Sequence, residues 1–286
     1  MKKSNRKQFL KSAANSVGVV AAGIGASRFI RTLMFALVLS VIVVQNAAAD
    51  NVIVSENNKV VSLQNESVKV NFDLRDGYYQ VVNVKENLIC IDKAYAEVND
   101  WKTTDSLVRT YNVVQNDNGK SLLVECTEAG NKKILLQFSL QNDKSYLILS
   151  AGLDNISDNT LIIKKIAPVA GAKLFKGKDI TKNLRILDGN GGGEPTVIRD
   201  KPAIHCRNNM LLFFGDGSEY HSIVLGGITY REFNKSVRLG EVTPPVTPLH
   251  QPSPVKNISN DPSLYLYADD AIGKRLDPHT RYLPDG

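Results

Sequence analysis

The sequence has little of what metal and thiol chemistry needs. Its three cysteines, Cys90, Cys126 and Cys206, are an odd number and include no Cys-x-x-Cys pair, so neither a zinc site nor a disulfide framework is indicated. An oxidising compartment would still permit one disulfide among them. Cys90 in "LICID" and Cys126 in "LVECTE" sit in strand-like runs, where a thiol serves as a small hydrophobe. The four histidines, His205, His221, His250 and His279, form no pair at helical metal-site spacing, and no His-Glu-x-x-His occurs. Ser218 stands near Glu219 and His221 in "GDGSEYH" but lacks the Gly-x-Ser-x-Gly elbow of an α/β-hydrolase. No cofactor or metal is implied.

A basic body is also missing, although the net charge of +6 and the pI near 9.1 suggest one at first. Seven basic residues (Lys2, Lys3, Arg6, Lys7, Lys11, Arg28, Arg31) and no acid lie in residues 1–49. The rest of the chain holds 28 basic against 29 acidic residues. A near-neutral body gives no electrostatic case for nucleic acid.

Residues 1–49 read as an export leader. "RTLMFALVLSVIVVQNAAAD" has Arg28 and Arg31 in front, an apolar run from Leu33 to Val44, and small Ala47, Ala48 and Ala49 before Asp50. That order is the plan of a signal peptide. The run falls short of the roughly 20 residues a transmembrane helix needs, so no stable membrane anchor is expected. The earlier string Arg6-Lys7-Gln8-Phe9-Leu10-Lys11 resembles a twin-arginine motif with Lys7 in the second position. Both features predict an exported bacterial protein, whether periplasmic, surface-bound or released, with residues 50–286 as the folded body.

The body lacks helical periodicity. Its nearest approach is "CIDKAYAEVNDW", Cys90–Trp101, a short helix candidate. What the body has is strands. "SVKVNFDL" alternates Val68, Val70, Phe72 and Leu74, and Asp76-Gly77 turns the chain into "YYQVVNV", a hairpin signal. "SLLVEC", "KILLQFSL", "SYLILSAGL" and "TLIIKKIAPV" follow, joined by Asn-, Asp- and Gly-rich turns. "MLLFFGD", "HSIVLGGITY", "KSVRLGEV" and "SLYLYAD" continue the series. A proline-rich stretch at 243–261 reads as a surface loop. The predicted fold is all-β, a large two-sheet antiparallel sandwich.

The most unusual string is "LDGNGGGEP", Leu187–Pro195. A P-loop needs Lys-Ser or Lys-Thr after its last glycine, and here Glu194 and Pro195 follow Gly193. A dinucleotide loop needs a helix next, but "TVIRD" reads as extended chain. Asp188 and Glu194 flank the loop as a carboxylate pair, though glycine-rich backbone holds such side chains poorly for catalysis. Trp101, the one tryptophan, offers a flat ring either to a sugar or to core packing.

"LDGNGGGEP", "CRNNMLLFFGDG", "HSIVLGGITYREF" and "LYADDAIGKRLDPHTRYLPDG" resemble the N-terminal region of secreted bacterial α-galactosidase-like enzymes, of glycoside hydrolase family 36 and its relatives. The resemblance covers most of residues 51–286 as overall pattern rather than as a catalytic motif. It implies a galactose-mutarotase-like supersandwich followed by a (β/α)8 barrel that carries both catalytic aspartates. The sequence stops at Gly286, with 268–286 expected as the start of a linker toward that barrel, so no catalytic residue is carried over. In this reading the domain supports the barrel and shapes a galactoside pocket. Asp188, Asn190, Gly191, Gly192 and Glu194 would line that pocket, with Trp101 as a further sugar contact. Two other readings stand beside it: a free-standing carbohydrate-binding or surface protein, and a small hydrolase using Asp188 and Glu194.

Overall fold

The structure is a computed structural model that describes residues 52–128, 131–178, 180, 184–188, 196–197, 203–206, 209–216, 219–228, 233–240 and 263–284. Within these residues it is an all-β sandwich with no α-helix. The leader, the glycine loop at 189–195 and the proline-rich stretch at 243–261 lie outside the described residues.

One layer is a large antiparallel sheet. Its strands are β1 (Ile53–Asn57), β2 (Val60–Gln64), β3 (Val68–Asp73), β4 (Tyr79–Asn83), β5 (Leu88–Val98), β6 (Trp101–Lys102), β11 (Leu161–Leu174), β14 (Ala203–Cys206), β17 (Asn234–Gly240) and β18 (Leu264–Leu276). Their order is β1-β2-β3-β4-β5-β11-β18-β17-β14, with β6 paired to β5. A second sheet has the order β19-β10-β9-β8-β7. It is formed by β7 (Val108–Asn116), β8 (Gly119–Glu128), β9 (Lys132–Gln141), β10 (Ile148–Asn155) and β19 (Thr280–Tyr282). A third, smaller sheet of β12 (Leu184–Asp188), β13 (Thr196–Val197), β15 (Asn209–Asp216) and β16 (Glu219–Gly226) was not anticipated.

Local chemistry explains the hairpins. Asn58 and Lys59 both adopt positive φ between β1 and β2, the geometry of a tight two-residue turn. Between β3 and β4, Asp73 accepts from the Arg75 amide and Asp76 from the Tyr78 amide, while Gly77 takes φ +79°. A side chain there would collide with the Thr103 carbonyl, 2.2 Å from the position of a Cβ, so the predicted Asp-Gly turn requires its glycine.

Alternation then buries one face of each strand. Val68, Val70 and Phe72 of β3 point inward, as do Leu136, Phe138 and Leu140 of β9. Phe138 meets Tyr79 edge-on at 5.1 Å and Phe72 at 6.3 Å, which fastens the large sheet to the five-stranded one. Tyr79 is buried, and its hydroxyl donates to the Pro168 carbonyl at 2.7 Å. The small sheet adds Leu184, Ile186, Met210, Leu212 and Phe214 to the same core. Cys90, Cys126 and Cys206 are buried within it.

Two asparagines pin the sandwich at its turns. Asn65, after β2, donates to the carbonyls of Gln141 and Lys144 in the β9–β10 connection, both at 2.8 Å. Its Oδ1 accepts from the amides of Ser67 and Val68. Asn155, at the end of β10, donates to the carbonyls of Asn159, Leu276 and Asp277 and so ties down the end of β18.

One expectation is overturned. Cys90–Trp101 is not helical: it forms most of β5, then a turn into β6. Ala94, Ala96 and Val98 alternate with Tyr95 and Glu97, so period two decides against the helix-favouring alanines. The segment 268–286, expected as the start of a linker, contributes the second half of β18 and all of β19 to the sheets.

Candidate functional site

The large sheet has two faces, and they differ in kind. Leu264, Leu266 and Ala268 of β18 pack on the main core. The intervening Tyr265, Tyr267 and Asp269 therefore occupy the opposite face. The same alternation places Tyr95 and Glu97 of β5 there, against Ala94, Ala96 and Val98 in the core. Ser236 and Arg238 of β17 and His205 of β14 join them by register.

Register lines these residues up across five strands. His205 pairs with Arg238, Arg238 with Tyr265, and on the far side of β11 Ala170 pairs with Tyr95. A second row runs Ser236 to Tyr267, then Ala167 to Glu97. A third brings Asn234 to Asp269 and Asp269 to Lys165. Strand β11 is irregular on both sides, with register shifts between Ile166 and Val169, Val169 and Ala172, and Ala167 and Ala170. These bulges put Ala167, Ala170 and Gly171 at the centre of the face, where Ala167 and Ala170 are buried beneath the tyrosines.

Ala167, Ala170 and Tyr267 form a cluster of their own, separate from the main core, with Tyr95 and Tyr265 packed against it. Tyr95 lies on Gly171, whose φ is +62° and whose added Cβ would come 2.6 Å from the Tyr95 ring. Tyr95 and Tyr265 lie close enough for each to influence the other's titration. Burial, together with its tyrosine and Glu97 neighbours, raises the Tyr95 hydroxyl well above the ordinary phenol range. Burial likewise raises Tyr265 and Tyr267. All three remain neutral phenols, able both to donate and to accept.

Charged groups surround the tyrosines. Glu97 is buried and accepts from Lys165 Nζ at 2.5 Å. Asp269 is pushed upward by desolvation, an effect the Arg238 charge partly offsets. The Arg238 guanidinium carbon lies 5.4 Å from the Tyr267 ring centroid, and the His205 ring is nearly parallel to that ring, with centroids 6.4 Å apart. Lys102 Nζ approaches the Tyr95 ring at 5.7 Å, and Tyr78 meets the same ring edge-on.

The sequence-based candidates fare differently. Asp188 ends β12, where its backbone pairs with Met210. Asn190, Gly191, Gly192 and Glu194 lie outside the described residues, as does Ser218. Trp101 is half-buried against the main core and carries Lys132 Nζ 4.1 Å from its ring centroid. Its contacts are therefore those of a packing residue, apart from the tyrosine cluster. His221 is buried, stacked on Phe214, with Nδ1 2.6 Å from Glu86 Oε2, so it joins the small sheet to the turn after β4. Among the described residues no group of His, Cys, Asp and Glu could hold a metal ion.

Sequence reasoning missed the tyrosine face, although a signal for it was present. In "LYLYADD" the tyrosines and the first acid share one parity, and the leucines share the other.

The fold and this face together define an antiparallel β-sandwich whose large sheet carries, away from the main core, a cluster of neutral phenols packed over small residues. No protein-family model matches the chain. No curated protein matches it either.

Proposed function

We propose that this chain binds carbohydrate through the tyrosine-bearing face of its large sheet, as an exported, non-catalytic, carbohydrate-associated domain of an α-galactosidase-like glycoside hydrolase. The observation that carries the proposal is the cluster of Tyr95, Tyr265 and Tyr267 packed over Ala167 and Ala170, on the face of the large sheet away from the main core. Flat rings pack on the apolar face of a pyranose, and neutral phenols exchange hydrogen bonds with its hydroxyls.

Binding fits the face better than hydrolysis does. A glycosidase needs two carboxyl groups facing one bond, about 5–10 Å apart. Glu97 is committed to Lys165, and Asp269 lies across β11 from it. Lys165 stands between them in register with Asp269.

Calorimetric titration of the full chain with galacto-oligosaccharides tests the proposal. Tyr95→Ala and Tyr265→Ala should each weaken binding at least about tenfold, the scale of one stacked ring lost. Unchanged affinity in both variants, with circular dichroism matching the parent, would remove the face from the binding site.

A further inference from the structure

The platform carries a cation that no carboxylate among the described residues contacts. Arg238 projects from β17 between His205 and Tyr265 in register, over the ring of Tyr267. Among the described residues no carboxylate lies within ion-pairing distance of its guanidinium, and its Nε is buried without a hydrogen-bond partner. Of the other cations on the face, Lys102 stands over the Tyr95 ring. Lys165 is matched by Glu97, and desolvation works against ionisation of Asp269. A buried guanidinium N–H left unpaired costs free energy that a bound acceptor would recover.

From this unpaired Nε–H beside a sugar-sized aromatic platform, we infer that the preferred ligand is an acidic glycan whose uronic-acid carboxylate is received by Arg238. The inference rests on the carbohydrate-binding reading above and narrows it. The guanidinium offers planar, directional donors, and a carboxylate matches them in a two-point contact. Tyr267 restrains the arginine from below, so little side-chain entropy remains to be lost on binding. His205, stacked on Tyr267 with Nε2 3.4 Å from its hydroxyl, borders the same end of the face. Tyr265, one strand over, supplies the ring surface for the pyranose that bears the carboxylate.

The test is a calorimetric comparison of tri-galacturonate with galactotriose, on the full chain and on its Arg238→Gln and Arg238→Lys variants. Tri-galacturonate should bind at least about tenfold more tightly than the neutral trisaccharide, and Arg238→Gln should abolish that preference. Arg238→Lys should restore only part of it, because a point charge lacks the two-point geometry. Equal affinity for the two sugars, or a preference that survives Arg238→Gln, overturns the acidic-ligand inference and leaves the carbohydrate reading standing. A sulfated galactan oligosaccharide that outcompetes tri-galacturonate overturns the carboxylate assignment in favour of a sulfate ester. Binding of none of these glycans overturns the carbohydrate reading and this inference with it. Thermal melts of each variant separate loss of preference from loss of fold.

Discussion

Asn65 is the sharpest test of how the two layers are joined. Its side chain makes four hydrogen bonds, two donated at 2.8 Å to the carbonyls of Gln141 and Lys144 and two accepted from the Ser67 and Val68 amides. Asn65→Ala removes all four at a position only 3% exposed. At about 1 kcal/mol net for each bond, with water reaching some of the abandoned turn groups, the loss should be about 3 kcal/mol. For a domain of this size each kcal/mol lowers the melting temperature by roughly 2–4 °C, so calorimetry should show a fall of about 6–12 °C. Asn65→Asp is the control for sign. It keeps the two accepted bonds but sets a carboxylate against two carbonyl oxygens, which disfavours ionisation in the folded state. Its folded pKa should therefore lie above its unfolded value, and its stability should fall as pH rises through the folded pKa. A fall below about 2 °C for the alanine variant, or a pH-independent aspartate variant, would refute the view that this side chain bridges the layers.

Other expectations concern the face and the core. Gly171→Ala adds a Cβ 2.6 Å from the Tyr95 ring at a left-handed backbone position, so it should displace that ring and cost about 1–2 kcal/mol. Thermal melts and galacto-oligosaccharide titration should both register the change; unchanged melting would place Tyr95 elsewhere. Burial raises the Asp269 carboxyl, so its folded form holds a proton more tightly than its unfolded form, and this contribution is lost as pH rises. Asp269→Asn should accordingly raise the melting temperature near pH 7 and lose that advantage by about pH 3; an opposite trend would show an attractive partner outweighing desolvation. The Cys126 thiol is fully buried and pushed up to about 12, so it should react with a thiol reagent only at the global unfolding rate. Fast labelling of native protein would contradict its burial.

Strand existence was legible because local pattern determines it. Val68, Val70 and Phe72 alternate, Asp76-Gly77 turns, and the hairpin follows. Cys90–Trp101 misled because Ala94 and Ala96 favour helix in isolation, and only the neighbouring strands β4 and β11 make them a strand. The tyrosine face was not legible as a site. Tyr95 and Tyr265 belong to strands separated in sequence by β7–β10 and by the whole small sheet, and their approach depends on the bulges of β11. Parity could show that Tyr265 and Tyr267 share a side, but only topology shows which other side chains share it with them. Trp101 illustrates the converse. Its sequence left sugar contact and core packing both open, and in the structure the ring packs on the core beneath Lys132.

The place of β11 in the large sheet also bears on how the chain acquires its shape. On one side β11 meets β5 across the intervening β7–β10 meander, and on the other it meets β18 across β12–β17. Neither pairing is local, so the entropy of closing two long loops is lost before the centre of the sheet gains its bonds. The hairpins β1–β4 and β7–β10 can form early, each within its own stretch of sequence. The middle of the sheet must wait until Leu264–Leu276 arrives between β11 and β17. Folding should therefore be slow, on the scale of topologies dominated by distant contacts. Until that last insertion, the flanks of β11 and β17 remain open edges that another chain could pair with.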